Sequence, residues 1–187
     1  MSIRVYGNRS LKTRPGTLTR PTSAKVRAAL FNIWQGRIEG CRWLDLCAGS
    51  GAMGAEALGR GAAIVVGIEQ DSRACAVIRQ NWQQMATATQ QFKVLQGNVL
   101  KRLPNIAGDT GIDQFDCIYL DPPYASDLYE AVLKTIVDHN LLAPDAEVAA
   151  EHAIADADRI AALAPQLGLT LSRQKHYGET TVSFFGL

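Results

Sequence analysis

The sequence predicts an α/β protein built on a mostly parallel sheet with helices on both faces. Three observations carry that reading. From Cys41 onward short apolar, β-branched runs alternate with helical stretches, and such alternation implies a parallel sheet covered on both sides. The turn "LDLCAGSGAMG" joins the first of these runs to its helix through Gly49, Gly51 and Gly54. With 187 residues, 47% apolar and 20% charged, the chain suits one soluble domain with a sizeable core.

Taken in order, "IRVYG" reads as a short strand or hairpin, followed by the Gly/Pro-punctuated loop "NRSLKTRPGTLTRP". Thr22 or Ser23 caps a helix through about Gln35, with Val26, Leu30, Ile33 and Trp34 on one face and Lys25 and Arg27 left to solvent or substrate. "RWLDL" is a strand, "AMGAEALGRG" a helix closed by glycine, and "AIVVGIE" a strand. "SRACAVIRQNWQQM" is a helix, "FKVLQG" a strand, and Val99 to Leu103 a short helix. "FDCIYL" is a strand, "SDLYEAVLKTIVDHN" a helix, and "AEVAAEH" a strand. A helix over Ala157 to Ala164 precedes two closing strands, "GLTLSRQKHY" and "TTVSFFGL", joined through Gly178. Ligands of such folds sit at the carboxyl ends of the strands. The chain divides into a basic extension over residues 1–38 and a main domain over 39–187.

The formal net charge of +1 conceals an asymmetry. Residues 1–38 contain no Asp or Glu, yet they carry Arg4, Arg9, Lys12, Arg14, Arg20, Lys25, Arg27 and Arg37. A basic arm on an acidic body points to a polyanion, foremost nucleic acid. The expected contacts are Arg9, Lys12, Arg14, Arg20, Thr22 and Arg27.

Gly49, Gly51 and Gly54 fit G-x-G-x-x-G, with Glu69 ending the next strand about twenty residues on. Such a turn lets a ligand approach the backbone, and Glu69 can hold ribose hydroxyls. Asp45 separates the possible ligands. A dinucleotide would bring a pyrophosphate that this carboxylate repels. S-adenosylmethionine brings an ammonium instead, and the pattern favours it. A strand-end acid that caps local amides is the plainer alternative for Asp45. Asn98, ending the third strand, stands level with an adenine edge, although turn formation explains an Asn there almost as well.

"DPPY", residues 121–124, directly follows "FDCIYL". Two prolines end a strand firmly, since neither donates to a ladder. The Asp121 carboxylate and the Pro122 carbonyl form a rigid acceptor pair for the hydrogens of an exocyclic amine, and Tyr124 can stack on the base. That pair turns a delocalised lone pair towards a methyl donor. Positioning and electrostatics suffice, and no metal is required.

"RPTSAKVRAALFNIW", "LDLCAGSGAMGAEALGRGA" and "DPPY" together resemble the bacterial RsmD family, and the likeness runs on to "KHYGETTVSFF". The resemblance implies a class I, Rossmann-like methyltransferase with seven strands, the last antiparallel. It implies transfer from S-adenosylmethionine to N2 of a guanine in small-subunit ribosomal RNA. It places the cofactor at Asp45, Ala48, Gly49, Ser50, Gly51, Glu69, Gln70, Asn98 and Val99, and the target base at Asp121, Pro122 and Tyr124. Cys47 stands where the family commonly has Phe, and Ala28 where it has Glu.

Other functions remain readable in the residues. An amino-methyltransferase acting on adenine N6 or cytosine N4 would use the same acceptors. A non-catalytic RNA-binding assembly factor would not need intact motifs, and a nicotinamide oxidoreductase is disfavoured by Asp45. Cys41, Cys47, Cys75 and Cys117 lack zinc or redox spacing, so reduced thiols in a cytoplasmic protein are expected. His139, His152 and His176 read as surface or local structural residues. No stretch reaches membrane-span length, and "MSIRVYGNRS" lacks a signal peptide's apolar centre. A monomer acting on ribosomal RNA or the small subunit is the expected state.

Overall fold

Strands β1 (Ile3–Val5) and β2 (Arg9–Leu11) form an antiparallel hairpin at the start of the chain. The structure is a computed structural model that describes residues 3–12, 23–123 and 127–187. Helix α1 (Ala24–Ile33) begins at Ser23, whose hydroxyl accepts from the Val26 amide at 3.1 Å, and it stops short of the expected Gln35. There follow β3 (Arg42–Leu46), α2 (Ala52–Gly59), β4 (Ile64–Glu69), α3 (Ser72–Met85), β5 (Gln91–Gln96), α4 (Val99–Arg102) and α5 (Ile106–Thr110). The chain continues with β6 (Phe115–Leu120), α6 (Leu128–Asp138), β7 (Leu142–Ala153), α7 (Ala157–Ala161), α8 (Leu163–Gln166), β8 (Thr170–Tyr177) and β9 (Thr180–Gly186).

The main sheet has seven strands in the order β5-β4-β3-β6-β7-β9-β8. Strands β3 to β7 run parallel, and β9 inserts antiparallel between β7 and β8. This is the seven-stranded class I arrangement with its reversed last strand. Because the side-chain period of a strand is two, each central strand serves two cores. Leu44, Leu46, Val66, Ile68, Ile118 and Leu120 face one cluster with residues of α4 to α8. Trp43, Val65, Cys117 and Tyr119 face the other, with α1, α2 and α3.

Two elements depart from the sequence reading. Helix α5 was not anticipated, since "IAGDT" carries glycine and weak helix formers. Strand β7 is 12 residues long, where only "AEVAAEH" reads as strand. Its register against β6 jumps between the Phe115–Leu142 and Cys117–Glu147 pairs, and Asp145 has φ 62°. Pro144 and Asp145 therefore occupy a bulge, and these polar, turn-prone residues hide the start of the strand.

The division at residue 38 is not a packing boundary. Val5, Leu11, Val26, Leu30, Phe31, Trp34 and Ile38 belong to the same cluster as Trp43 and Phe184. Phe31 stacks on Trp43 with ring centres 5.2 Å apart, and Trp34 meets Phe184 edge-on at 5.7 Å. The Trp34 indole N–H donates to Glu147 at 2.8 Å. Burial pushes the Glu147 carboxyl up, but hydrogen bonds from Trp34 and Ser172, with the charges of Arg173 and Arg37, outweigh it and hold the group below its ordinary value.

Candidate active site at the carboxyl edge of the sheet

Pairing fixes the site before any side chain is considered. Leu46 lies opposite Ile68 on one side and Leu120 on the other. Just beyond these pairs, the Ala48 amide donates to the Ile68 carbonyl at 3.1 Å and the Asp121 amide points to the Leu46 carbonyl at 3.4 Å. The glycine turn, Glu69 and Asp121 thus leave the sheet side by side. The prolines end β6 where expected, with Pro122 buried and Pro123 exposed. Tyr124 lies outside the described residues.

The glycine turn needs its glycines for backbone reasons. Gly49 and Gly51 sit at φ 56° and 72°, a left-handed conformation that costs other residues about 1–2 kcal/mol. A Cβ on Gly51 would meet Ile78 and Trp82 at 2.9 Å, and one on Gly54 would lie 2.3 Å from the Trp82 ring. Trp82 also donates its indole N–H to the Gly51 carbonyl at 2.7 Å. Helix α3 therefore props the turn from beneath.

Glu69 accepts from the Gly49 amide at 2.8 Å and from the Asp71 amide at 2.9 Å, one bond on each carboxylate oxygen. Each oxygen keeps a second lone pair, suited to ribose hydroxyls. Asp45 takes the local-capping role that the sequence left as its alternative. It is 1% exposed and accepts from the Gly54 amide of α2 at 3.0 Å, so it shapes the turn from below rather than facing a ligand's ammonium. Burial pushes its carboxyl up to about 8; the Gly54 amide opposes this and the Glu69 charge adds to it. Cys47 shows how acidic the edge is. Burial raises its thiol first, and the charges of Glu69, Asp121 and Asp45 carry it to about 12.

Ala48 and Ser50 are half-buried in the turn, and Gln70 is exposed beyond Glu69. The Asn98 carboxamide oxygen caps α4 by accepting from the Leu100 amide at 3.0 Å, which is the turn-forming explanation. The Val99 side chain is buried in the core.

The arm residues divide. Arg9 and Lys12 are exposed, and both rest on α3: Arg9 donates to the Gln84 carbonyl at 3.0 Å and the Lys12 ammonium to Gln80 at 3.2 Å. Arg14, Arg20 and Thr22 lie outside the described residues. Arg27 is a correction. It was expected to face substrate, but it is 5% exposed and paired with buried Glu56 at 3.4 Å. Glu56 also accepts from the Tyr6 amide and from Arg60, both at 2.9 Å, so a buried ionic knot fastens the hairpin to α2. Nothing in the sequence signals it, because a helical Glu usually reads as a solvated face.

Two further residues escaped the sequence reading. Asn81 is fully buried on α3 and bonds both Lys12 and Ser50. Its signal was available, as one polar residue within the stripe of Ala74, Cys75, Ile78, Trp82 and Met85. Glu151 follows the Ala150–Leu120 pair on β7, is buried beside the DPPY segment, and accepts from the Tyr119 hydroxyl.

A Rossmann-like sheet of this strand order, with a glycine turn and an acid ending the next strand, defines a class I methyltransferase fold. A solved structure described as a putative methyltransferase, yhhF, from Escherichia coli superimposes with TM-score 0.76 at 26% identity, over 99% of this chain and 97% of that one. The family profile described as "Conserved hypothetical protein 95" matches residues 3–186. The putative rRNA methyltransferase YlbH of Bacillus subtilis is 35% identical over 95% of this chain and 92% of its own. The ribosomal RNA small subunit methyltransferase D of Haemophilus influenzae is 32% identical over 71% of this chain and 67% of its own. The chain belongs to this family, the RsmD family of the sequence resemblance.

Proposed function

We propose that this protein transfers a methyl group from S-adenosylmethionine to the exocyclic N2 of a guanine in small-subunit ribosomal RNA. The observation that carries the reading is the shared edge: Asp121 and Pro122 end β6 directly beside the glycine turn and Glu69. A base amine held by the first pair therefore faces whatever the second pair binds.

The residues fit S-adenosylmethionine better than a dinucleotide. The Glu69 and Asp121 carboxylates both act on Cys47, and an edge of that charge favours a sulfonium and an ammonium over a pyrophosphate. When bound, the cofactor supplies an activated methyl group with its leaving group built in. Glu69 holds its ribose hydroxyls, and the turn from Ala48 to Gly51 gives close backbone approach. The Asp121 carboxylate and Pro122 carbonyl accept the amine hydrogens and fix the lone pair, with Tyr124 assigned to the base face. Arg9, Lys12, Arg14 and Arg20 hold the surrounding RNA once the guanine has left its stack. The names of the relatives, a putative rRNA methyltransferase and a ribosomal RNA small subunit methyltransferase, support this substrate class.

Labelled S-adenosylmethionine, incubated with small-subunit ribosomal RNA and with assembled small subunits, tests the reading after digestion to nucleosides. N2-methylguanosine is expected, and Asp121→Ala should lower turnover about a hundredfold or more with cofactor affinity retained. N6-methyladenosine or N4-methylcytidine as product would move the substrate to another base. An Asp121→Ala enzyme at the parent rate would remove the DPPY segment from the chemistry.

A further inference from the structure

Asn81 joins two parts of the molecule that the reaction must bring together. Its carboxamide oxygen accepts from the Lys12 backbone N–H at 2.9 Å, and its NH2 donates to the Lys12 carbonyl at 3.0 Å. The same NH2 donates to the Ser50 carbonyl at 3.3 Å. Only this orientation of the amide satisfies all three, since the reverse would set its oxygen against two carbonyls. Lys12 is thereby held at both backbone polar groups where the chain leaves the hairpin towards residues 13–22. Ser50 sits between Gly49 and Gly51. The neighbouring residue of α3, Trp82, holds the Gly51 carbonyl.

We infer that Asn81 is a positioning residue that couples occupancy of the glycine turn to RNA binding by the basic arm. The inference rests on the assignment of cofactor to the turn and RNA to the arm. A ligand that fixes the Ser50 carbonyl fixes the Asn81 amide, and the amide holds both backbone polar groups of Lys12 on the arm. A fully buried amide has no water to take over a bond it releases, so displacement on one side is felt on the other. Such coupling is reciprocal: each ligand changes the other's affinity by the same factor.

The test measures affinity for small-subunit ribosomal RNA with and without S-adenosylhomocysteine, and affinity for S-adenosylhomocysteine with and without that RNA. In the parent protein each ligand should tighten the other by about fivefold or more. Asn81→Asp keeps the acceptor for the Lys12 N–H but turns an oxygen towards both carbonyls, and the factor should fall to about one. Lys12→Pro deletes the N–H from the arm side without changing any residue of α3, and should abolish the factor as well. Lys12→Ala loses the same charge but keeps the N–H, and should retain the factor. A parent protein that binds both ligands independently overturns the inference, as does a folded Asn81→Asp or Lys12→Pro protein with the parent's factor. A parent protein that binds neither ligand instead removes the functional assignment beneath it.

Discussion

Gly54→Ala probes the contact between the glycine turn and α3. In an exposed helix this change would stabilise by up to about 1 kcal/mol, because alanine is the better helix former. Here the added Cβ would lie 2.3 Å and 2.7 Å from two atoms of the Trp82 ring and 3.0 Å from Val65. The ring cannot swing aside freely. It is fully buried, bonded to the Gly51 carbonyl at 2.7 Å, and set edge-on to Phe92 at 6.0 Å. Overpacking of this kind costs about 1–3 kcal/mol, and displacing the indole also forfeits a buried hydrogen bond worth about 1 kcal/mol. The clash therefore wins, with a net loss of about 1–3 kcal/mol. Because the lost bond is made to the turn itself, affinity for S-adenosylhomocysteine should fall together with stability. Denaturant unfolding reads the first quantity and titration calorimetry the second. Trp82→Phe in the same chain makes room for the Cβ, so the double change should cost less than the sum of the singles. A Gly54→Ala protein with parental stability and affinity would refute the close packing of turn and helix.

Glu69→Ala should weaken S-adenosylmethionine binding by about 1.5–3 kcal/mol, the worth of charge-assisted bonds, as read by calorimetry. Glu56→Ala should destabilise by about 3–5 kcal/mol in denaturant melts, because it strands Arg27 in the core, and adding Arg27→Met should recover part of the loss. Asp45, whose carboxyl burial lifts to about 8, keeps its proton in the folded state at pH values where the unfolded chain has released it. Its contribution is therefore complete below the ordinary carboxylate range and is lost as pH rises towards about 8. Asp45→Asn, which keeps an acceptor for Gly54, should gain stability relative to the parent between pH 5 and pH 9, and melts at about those two values check the sign.

The sheet was legible because periodicity and punctuation agreed. "RWLDL", "SRACAVIRQNWQQM" and "FDCIYL" begin and end in the structure where their glycines, acids and prolines say they should. The edge holding Gly49, Glu69 and Asp121 was legible for the same reason, since Glu69 ends one recognisable parallel strand and Gly49 and Asp121 closely follow two others. Exposure was not. Arg27 and Glu56 carry charges that composition assigns to the surface, and only the three-dimensional meeting of α1, α2 and the hairpin makes each a partner for the other. Asp45 was assigned by its chemistry alone, whereas its depth in the fold depends on how closely α2 follows β3. The bulge in β7 was hidden because proline and a left-handed Asp mark a loop in almost every other setting.

The ionic knot at Glu56 and the amide bridge at Asn81 bear on how such proteins can be recombined. The hairpin is keyed to α2 and α3, the two helices that follow the turn and Glu69. A chimaera carrying a relative's first forty or so residues would leave Glu56 and Asn81 facing a foreign backbone unless the matching helices came too. Grafting a new arm here means transplanting a joint, and if the arm binds RNA as proposed, the heritable unit of RNA choice extends into the half of the fold that carries the glycine turn.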